Sequence, residues 1–146
     1  RVTDMHEDGR GAIQSLTAAI KDAGLTIDDI DYISTHGTST PENDAIETRA
    51  LKTVFAERAK QIPASSIKSM MGHLIGATGA AELISCVLAI RDNIVPPTIN
   101  LNDPDPALDL DYVPNEARKM PVNIALNESF GFGGQNDVVI VKRYEE

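Results

Sequence analysis

The segment "GATGAAELISCVLAIRD" constrains what this chain can fold into more than any other part of it. Gly76, Ala77, Gly79, Ala80 and Ala81 crowd its first turns, and "LISCVLAI", Leu83 to Ile90, is apolar almost all round. Glycine inside a helix costs about 1 kcal/mol relative to alanine, so two of them near one helix start predict close approach by another backbone. An apolar surface on every side predicts a helix buried between two layers. We place it from about Leu74 to Arg91. Its apolar run falls far short of the roughly 20 residues a membrane span needs.

The neighbouring segments supply the layers. Ala12, Ile13, Leu16, Ala19 and Ile20 recur at helical spacing, and Gly24 is placed to end that helix. "IDYIS" reads as a short buried strand. Thr40-Pro41-Glu42 is a helix start, with a capping hydroxyl, a proline at the first helical position and an acid at the positive end of the dipole. Ala45, Ile46, Ala50, Leu51, Val54 and Phe55 give that helix its apolar face. "SSIKSM" reads as a second extended segment. "VPPTINLNDPDPALDLDYVP" is expected to be an extended surface excursion. "VNIALNESF" and "NDVVIVKRY" flank "GFGG" as a hairpin with a glycine-rich bend. No internal repeat or low-complexity tract interrupts this order, and strands alternating with helices make an α/β protein.

Composition narrows the function. Of 146 residues, 42% are hydrophobic and 24% charged, the balance of a globular domain with a core. A net charge of −9 and a pI near 4.7 exclude a general nucleic-acid binder, since phosphate neutralisation needs clustered Lys and Arg. No secretory h-region opens the chain. Cys86 is the one cysteine, so no internal disulfide framework exists, and a reducing compartment fits.

Chemistry concentrates in three loops, placed where α/β proteins carry it. "THGTSTPEND" puts His36 between a strand and a helix start. "SIKSMMGHLIGATGAAE" does the same for His73, with Lys68 before it and Glu82 after it. "SFGFGGQN" offers backbone N–H groups that glycines leave open to a ligand. Taken singly, each has a plain structural reading: a hydrogen-bonded histidine, a solvated lysine, a surface helix charge, a turn. The three histidines lack the spacing of a metal site, and His6 sits in a polar stretch with no specific role.

Together, in this order and at these separations, the motifs resemble the C-terminal half of a β-ketoacyl-acyl carrier protein synthase. The resemblance is to the elongating condensing enzymes of type II fatty acid synthesis, within the thiolase-like fold. It runs from about Gly11 to Val141 and includes "VPPTINL" and "LDLDYVPNEAR". It implies one C-terminal thiolase-like domain over residues 1–146, a mixed sheet with helices packed on it, incomplete without an N-terminal half. The activity implied is decarboxylative condensation of an acyl thioester with malonyl-acyl carrier protein.

By the family pattern His36 and His73 jointly stabilise the enolate oxygen formed when malonyl loses carbon dioxide. Neutral imidazoles suit that task, and a Lys68 cation nearby would oppose their protonation. Lys68 is tied to Glu82 in the family. Nine residues, two and a half helical turns, separate His73 from Glu82, so Glu82 is expected to reach Lys68 instead. Phe132 is implied to donate its N–H to an oxyanion hole and to gate acyl access with its ring, beside Phe130, while Gly131, Gly133 and Gly134 let the turn move. Thr38 and Thr40 match threonines that hydrogen-bond the phosphopantetheine arm, and Thr40 either chooses between that role and capping or combines them. No covalently bound cofactor is implied; acyl carrier protein delivers the arm.

The family's nucleophilic cysteine lies upstream of all these motifs, and Cys86, mid-helix in apolar surroundings, is not it. The chain starts at Arg1, so we expect a fragment, or one part of a larger catalytic unit, inactive alone. Three positions depart from the pattern: Glu128 where Asn is usual, Gln135 where Thr or His is common, and Met71 for Thr or Ser. Glu128 is expected to put a charge beside the oxyanion turn. The implied partners are acyl carrier protein, the N-terminal half and, at full length, a second copy; nucleic acid and membrane are not. The implied location is the cytoplasm, or an organelle stroma or matrix in a eukaryote. A non-catalytic chain-length-setting partner subunit and a polyketide ketosynthase domain remain as alternatives.

Overall fold

The computed structural model describes residues 5–145. Helix α1, Arg10–Asp22, turns Ala12, Leu16 and Ile20 inward. It ends as its sequence dictates. Gly24 takes φ +66°, its N–H donates to the Lys21 carbonyl, and the Leu25 N–H donates to the Ile20 carbonyl, a Schellman pair. Strand β1, Tyr32–Ser34, is buried along its whole length. Helix α2, Pro41–Phe55, has Thr40 as N-cap, accepting the Asn43 N–H, and buries Ile46, Ala50, Leu51 and Phe55. Ala45, counted with that face in the sequence, is exposed.

Strand β2 is only Ala64–Ser65, and Lys68–Met71 forms a single helical turn, α3. The extended segment expected over "SSIKSM" is therefore wrong. The Ser69 hydroxyl and N–H both return to the Ser66 carbonyl, and the Met70 N–H returns to that of Ile67. Local serine-to-backbone bonding outcompetes a strand ladder here. Helix α4 runs Thr78–Asp92, preceded by a 3₁₀ turn at Ile75–Ala77. It starts later than expected because Ile75 sits at φ +53°, outside helical geometry.

Strands β3, Ile94–Val95, and β4, Arg118–Lys119, form a small antiparallel ribbon at the two ends of the surface excursion. The hairpin expected at the C-terminus is present: β5, Ile124–Gly131, pairs antiparallel with β6, Gln135–Lys142, from Ile124↔Lys142 to Gly131↔Gln135.

The main sheet has the order β2-β1-β5-β6, with β2 and β5 both parallel to β1. One face packs Ile33 and Leu126 against Leu16, Ile20, Leu51 and Phe55 of α1 and α2. The other packs Tyr32 and Ala125 against Cys86, Ala89 and Ile90 of α4. Each fully buried aliphatic side chain contributes about 1.5–3 kcal/mol. Because β1, β2 and β5 run the same way, the loops after all three emerge at one edge of the sheet, which is where open α/β sheets hold ligands.

One expectation about α4 fails within this chain. Its inner stripe lies on the sheet, but Ile84, Val87 and Leu88 are 61%, 50% and 40% exposed on the opposite side. Nor do its glycines meet another backbone: a Cβ at Gly76 would touch nothing, and one at Gly79 only the Ser129 hydroxyl at 3.7 Å. The described residues supply one of the two layers that an all-round apolar helix calls for.

Candidate active site

The edge where the three strands end brings the sequence motifs together. His36 follows β1, Lys68 and His73 follow β2, and Phe130 is the penultimate residue of β5. The His36 and His73 rings lie 5.9 Å apart between centroids and stand almost perpendicular, at 86°. Phe130 packs its ring on His36 at 5.4 Å.

His36 is held by its backbone. Its N–H donates to Glu47 Oε1 at 2.6 Å, and its carbonyl accepts from Lys68 Nζ at 2.5 Å. The adjacent Gly37 N–H donates to Glu47 Oε2 at 2.9 Å. The ring itself is buried, and no partner among the described residues reaches Nδ1. Burial, then the Lys68 cation, then His73 push its pKa down to about 4, so the imidazole is neutral at physiological pH.

His73 lies beyond α3 with its ring against the start of α4. The Ile75 N–H donates to its Nδ1 at 3.1 Å, and the Thr78 hydroxyl lies 2.9 Å from the same nitrogen. A backbone N–H can only donate, so Nδ1 is the acceptor and the proton of the neutral ring sits on Nε2. His73 thus keeps an N–H available.

Lys68 and Glu82 form an ion pair buried at both ends, with side chains 5% and 0% exposed. Glu82 Oε2 also accepts the Ser129 hydroxyl at 3.4 Å. Burial raises the Glu82 pKa, and Lys68 pulls it back. The expected tie to Lys68 is present. Nothing ordinary about a surface helix charge would place a carboxylate there.

Thr38 and Thr40 flank the site, half-buried and exposed, with their hydroxyls 3.1 Å apart. The Thr40 oxygen also caps α2, accepting the Asn43 N–H. Gly131 ends β5, and Phe132–Gly134 form a 3₁₀ turn in which Gly133 takes φ +79°. Phe132 is 76% exposed. Its ring stands in solvent while Phe130 makes the contact with His36. Met71 and Gln135 are exposed. Cys86 lies on the sheet side of α4, fully buried, and burial pushes its thiol up to about 12.

Two features escaped the sequence. Glu47 was not singled out, though it is 3% exposed and binds three donors, including Asn43 Nδ2 at 2.9 Å. The available signal was a carboxylate between Ile46 and Ala50 on the inward side of an amphipathic helix. Glu128, expected to put a charge beside the oxyanion turn, is fully buried behind it. Desolvation, followed by its neighbour Glu47, raises its pKa well above 4.5.

Beside Lys68 and the His36 loop lies a cavity of about 330 Å³ lined by Gly37, Thr38, Ser66, Lys68, Leu108 and Tyr112 among others. The excursion forms its outer wall, pinned by the Ser66 N–H to Thr98 Oγ1 and the Ile99 N–H to Ser69 Oγ.

Residues 1–102 match the family described as beta-ketoacyl synthase, C-terminal domain. A curated 3-oxoacyl-[acyl-carrier-protein] synthase 2 of Synechocystis sp. is 51% identical over 94% of this chain and 33% of its own length. Among solved structures, a type II polyketide acyl-carrier protein in complex with its ketosynthase bound to the hexaketide superposes with TM-score 0.96 and 40% identity, over 99% of this chain and 36% of that one. The ishigamide ketosynthase/chain length factor superposes with TM-score 0.93 and 38% identity, over 99% and 35%. The chain spans about a third of the length of the relatives it matches.

Proposed function

The chain belongs to the β-ketoacyl synthase family through its C-terminal domain, and from that premise we propose that it supplies the decarboxylating part of a synthase active site. The reaction is condensation of an acyl thioester with malonyl-acyl carrier protein in fatty acid synthesis, an acyltransferase activity of the full-length protein. The pairing of His36 with His73 carries this reading. When malonyl loses carbon dioxide, its electron pair passes to the thioester oxygen, and that enolate needs donors rather than bases. Two neutral imidazoles, one with its proton placed on Nε2 by Ile75, supply them. Lys68 opposes protonation of His36 while Glu82 balances its buried charge.

The acyl group rides on a cysteine of the N-terminal half, and Phe132 donates its N–H to the tetrahedral oxyanion and gates access with its ring. Thr38 and Thr40 hold the phosphopantetheine arm presented by acyl carrier protein, next to Gly131 and Gly133. The N-terminal half covers the outward stripe Ile84, Val87 and Leu88 of α4, whose exposed apolar surface supports a missing layer. If so, Val87→Glu blocks assembly of the full-length protein; normal yield and folding of that variant would remove this docking face. Full-length protein is expected to be a cytoplasmic homodimer.

The test incubates full-length protein with an acyl- and a malonyl-acyl carrier protein. We expect a 3-oxoacyl product and one equivalent of carbon dioxide. Product only after adding a separate ketosynthase would favour a chain-length-setting subunit, and iterative products would favour a polyketide role.

A further inference from the structure

The mechanism above leaves two buried carboxyls unused. Glu47 projects from α2 and Glu128 from β5, and their carboxyls meet behind the His36 loop. They are not equivalent. Glu47 accepts hydrogen bonds from the His36 N–H, the Gly37 N–H and Asn43 Nδ2. No N–H or O–H donor among the described residues reaches either oxygen of Glu128. Two carboxylates in contact, each out of water, repel each other without solvent to screen them. Donors on one and none on the other decide which is ionised.

We propose that Glu128 is a carboxylic acid that donates its one proton to a Glu47 carboxylate, and that this acid–carboxylate pair positions His36. Glu47 is a positioning residue: it touches the peptide N–H of His36, never the reacting atoms. Its leverage is large because no partner among the described residues reaches His36 Nδ1, so the two backbone clamps, Glu47 on the N–H and Lys68 on the carbonyl, orient the imidazole together with the Phe130 ring packed on it. The shared proton keeps a single negative charge where two would push the strands and α2 apart. The other charges facing the pair are Glu82 from α4 and Lys68 from α3, with Asp44 on α2 and the Tyr112 hydroxyl of the excursion nearby. Glu82 disfavours a second ionisation and Lys68 favours it, and the direct contact with Glu47 outweighs both. The positioning half of this proposal rests on His36 being a decarboxylation donor; the proton-sharing half does not.

The test uses the full-length protein, read by infrared spectroscopy and by malonyl-acyl carrier protein decarboxylation. Wild type should show the carbonyl stretch of a buried protonated carboxyl at neutral pH, lost in Glu128→Gln. Glu128→Ala should lower kcat about tenfold, and Glu128→Gln, which retains an N–H donor toward Glu47, should recover most of that loss. Glu47→Gln leaves one backbone N–H unpaired and should lower kcat about 10- to 100-fold with little change in KM. Wild-type kcat should fall as rising pH removes the shared proton, and Glu128→Gln should not follow that fall. No protonated-carboxyl band in wild type, or its loss in Glu47→Gln with retention in Glu128→Gln, would overturn the pair. A band without any decarboxylation by wild type would remove the functional reading and leave the pair standing. Normal kcat in Glu47→Gln would overturn the positioning role.

Discussion

Replacing Lys68 with methionine isolates the electrostatic heart of the site. The substitution keeps most of the side-chain volume and removes the cation from Glu82, whose side chain is fully buried. It also removes the donor to the His36 carbonyl. An uncompensated buried charge of this kind costs about 3–5 kcal/mol, against about 0–1 kcal/mol for a solvated surface pair. The cost depends on pH in a defined direction. Burial already raises the Glu82 pKa, and removing Lys68 raises it further. A carboxyl whose folded pKa exceeds its unfolded value costs nothing below the unfolded value and progressively more as pH rises through the folded one. Urea unfolding of full-length wild type, Lys68→Met, Glu82→Leu and the double variant at mildly acidic and mildly alkaline pH measures this. We expect a large loss in Lys68→Met that grows with pH and is mostly restored in the double variant. A loss below about 1 kcal/mol, or one independent of pH, would show that the pair is screened like a surface bridge and refute the reasoning.

Other consequences follow from the same geometry. Gly37 sits at φ +42° with a Cβ position 2.5 Å from Ser66 Cβ, so Gly37→Ala should cost about 1–3 kcal/mol and displace His36, seen as lower stability and lower decarboxylation together; neither change would contradict the packing. In histidine-¹⁵N NMR, the signal that disappears in His36→Asn should titrate near 4, whereas a midpoint near the ordinary 6.5 would place the ring in water. Cys86 should resist alkylation in native full-length protein and react once unfolded, with peptide mapping as the readout; native labelling would contradict its burial and raised pKa.

Much of this site was legible because motif spacing and strand direction point the same way. "THGTSTPEND" and "SIKSMMGH" each follow a strand, and parallel pairing through β1 forces their loops to one edge. Lys68 and Glu82 were legible as partners from the family resemblance, with helical distance setting His73 aside. The turn at Lys68–Met71 was not, because apolar and polar residues there fit a strand, while serine hydroxyls chose the turn. Glu47 was hidden by the habit of assigning helix carboxylates to solvent. Glu128 was read as a charge because its number of donors, zero among the described residues, is a property of packing and not of the sequence. The α4 helix was read correctly as apolar all round, but its second layer is not supplied by the described residues.

The central claim is that His36 and His73 act jointly as neutral donors to an enolate oxygen. Malonyl-acyl carrier protein decarboxylation by full-length wild type, His36→Ala and His73→Ala tests it most directly. Each single variant should lose about 10²–10³ in kcat, the usual cost of one preorganised donor. Decarboxylation at the wild-type rate in either variant would contradict the account.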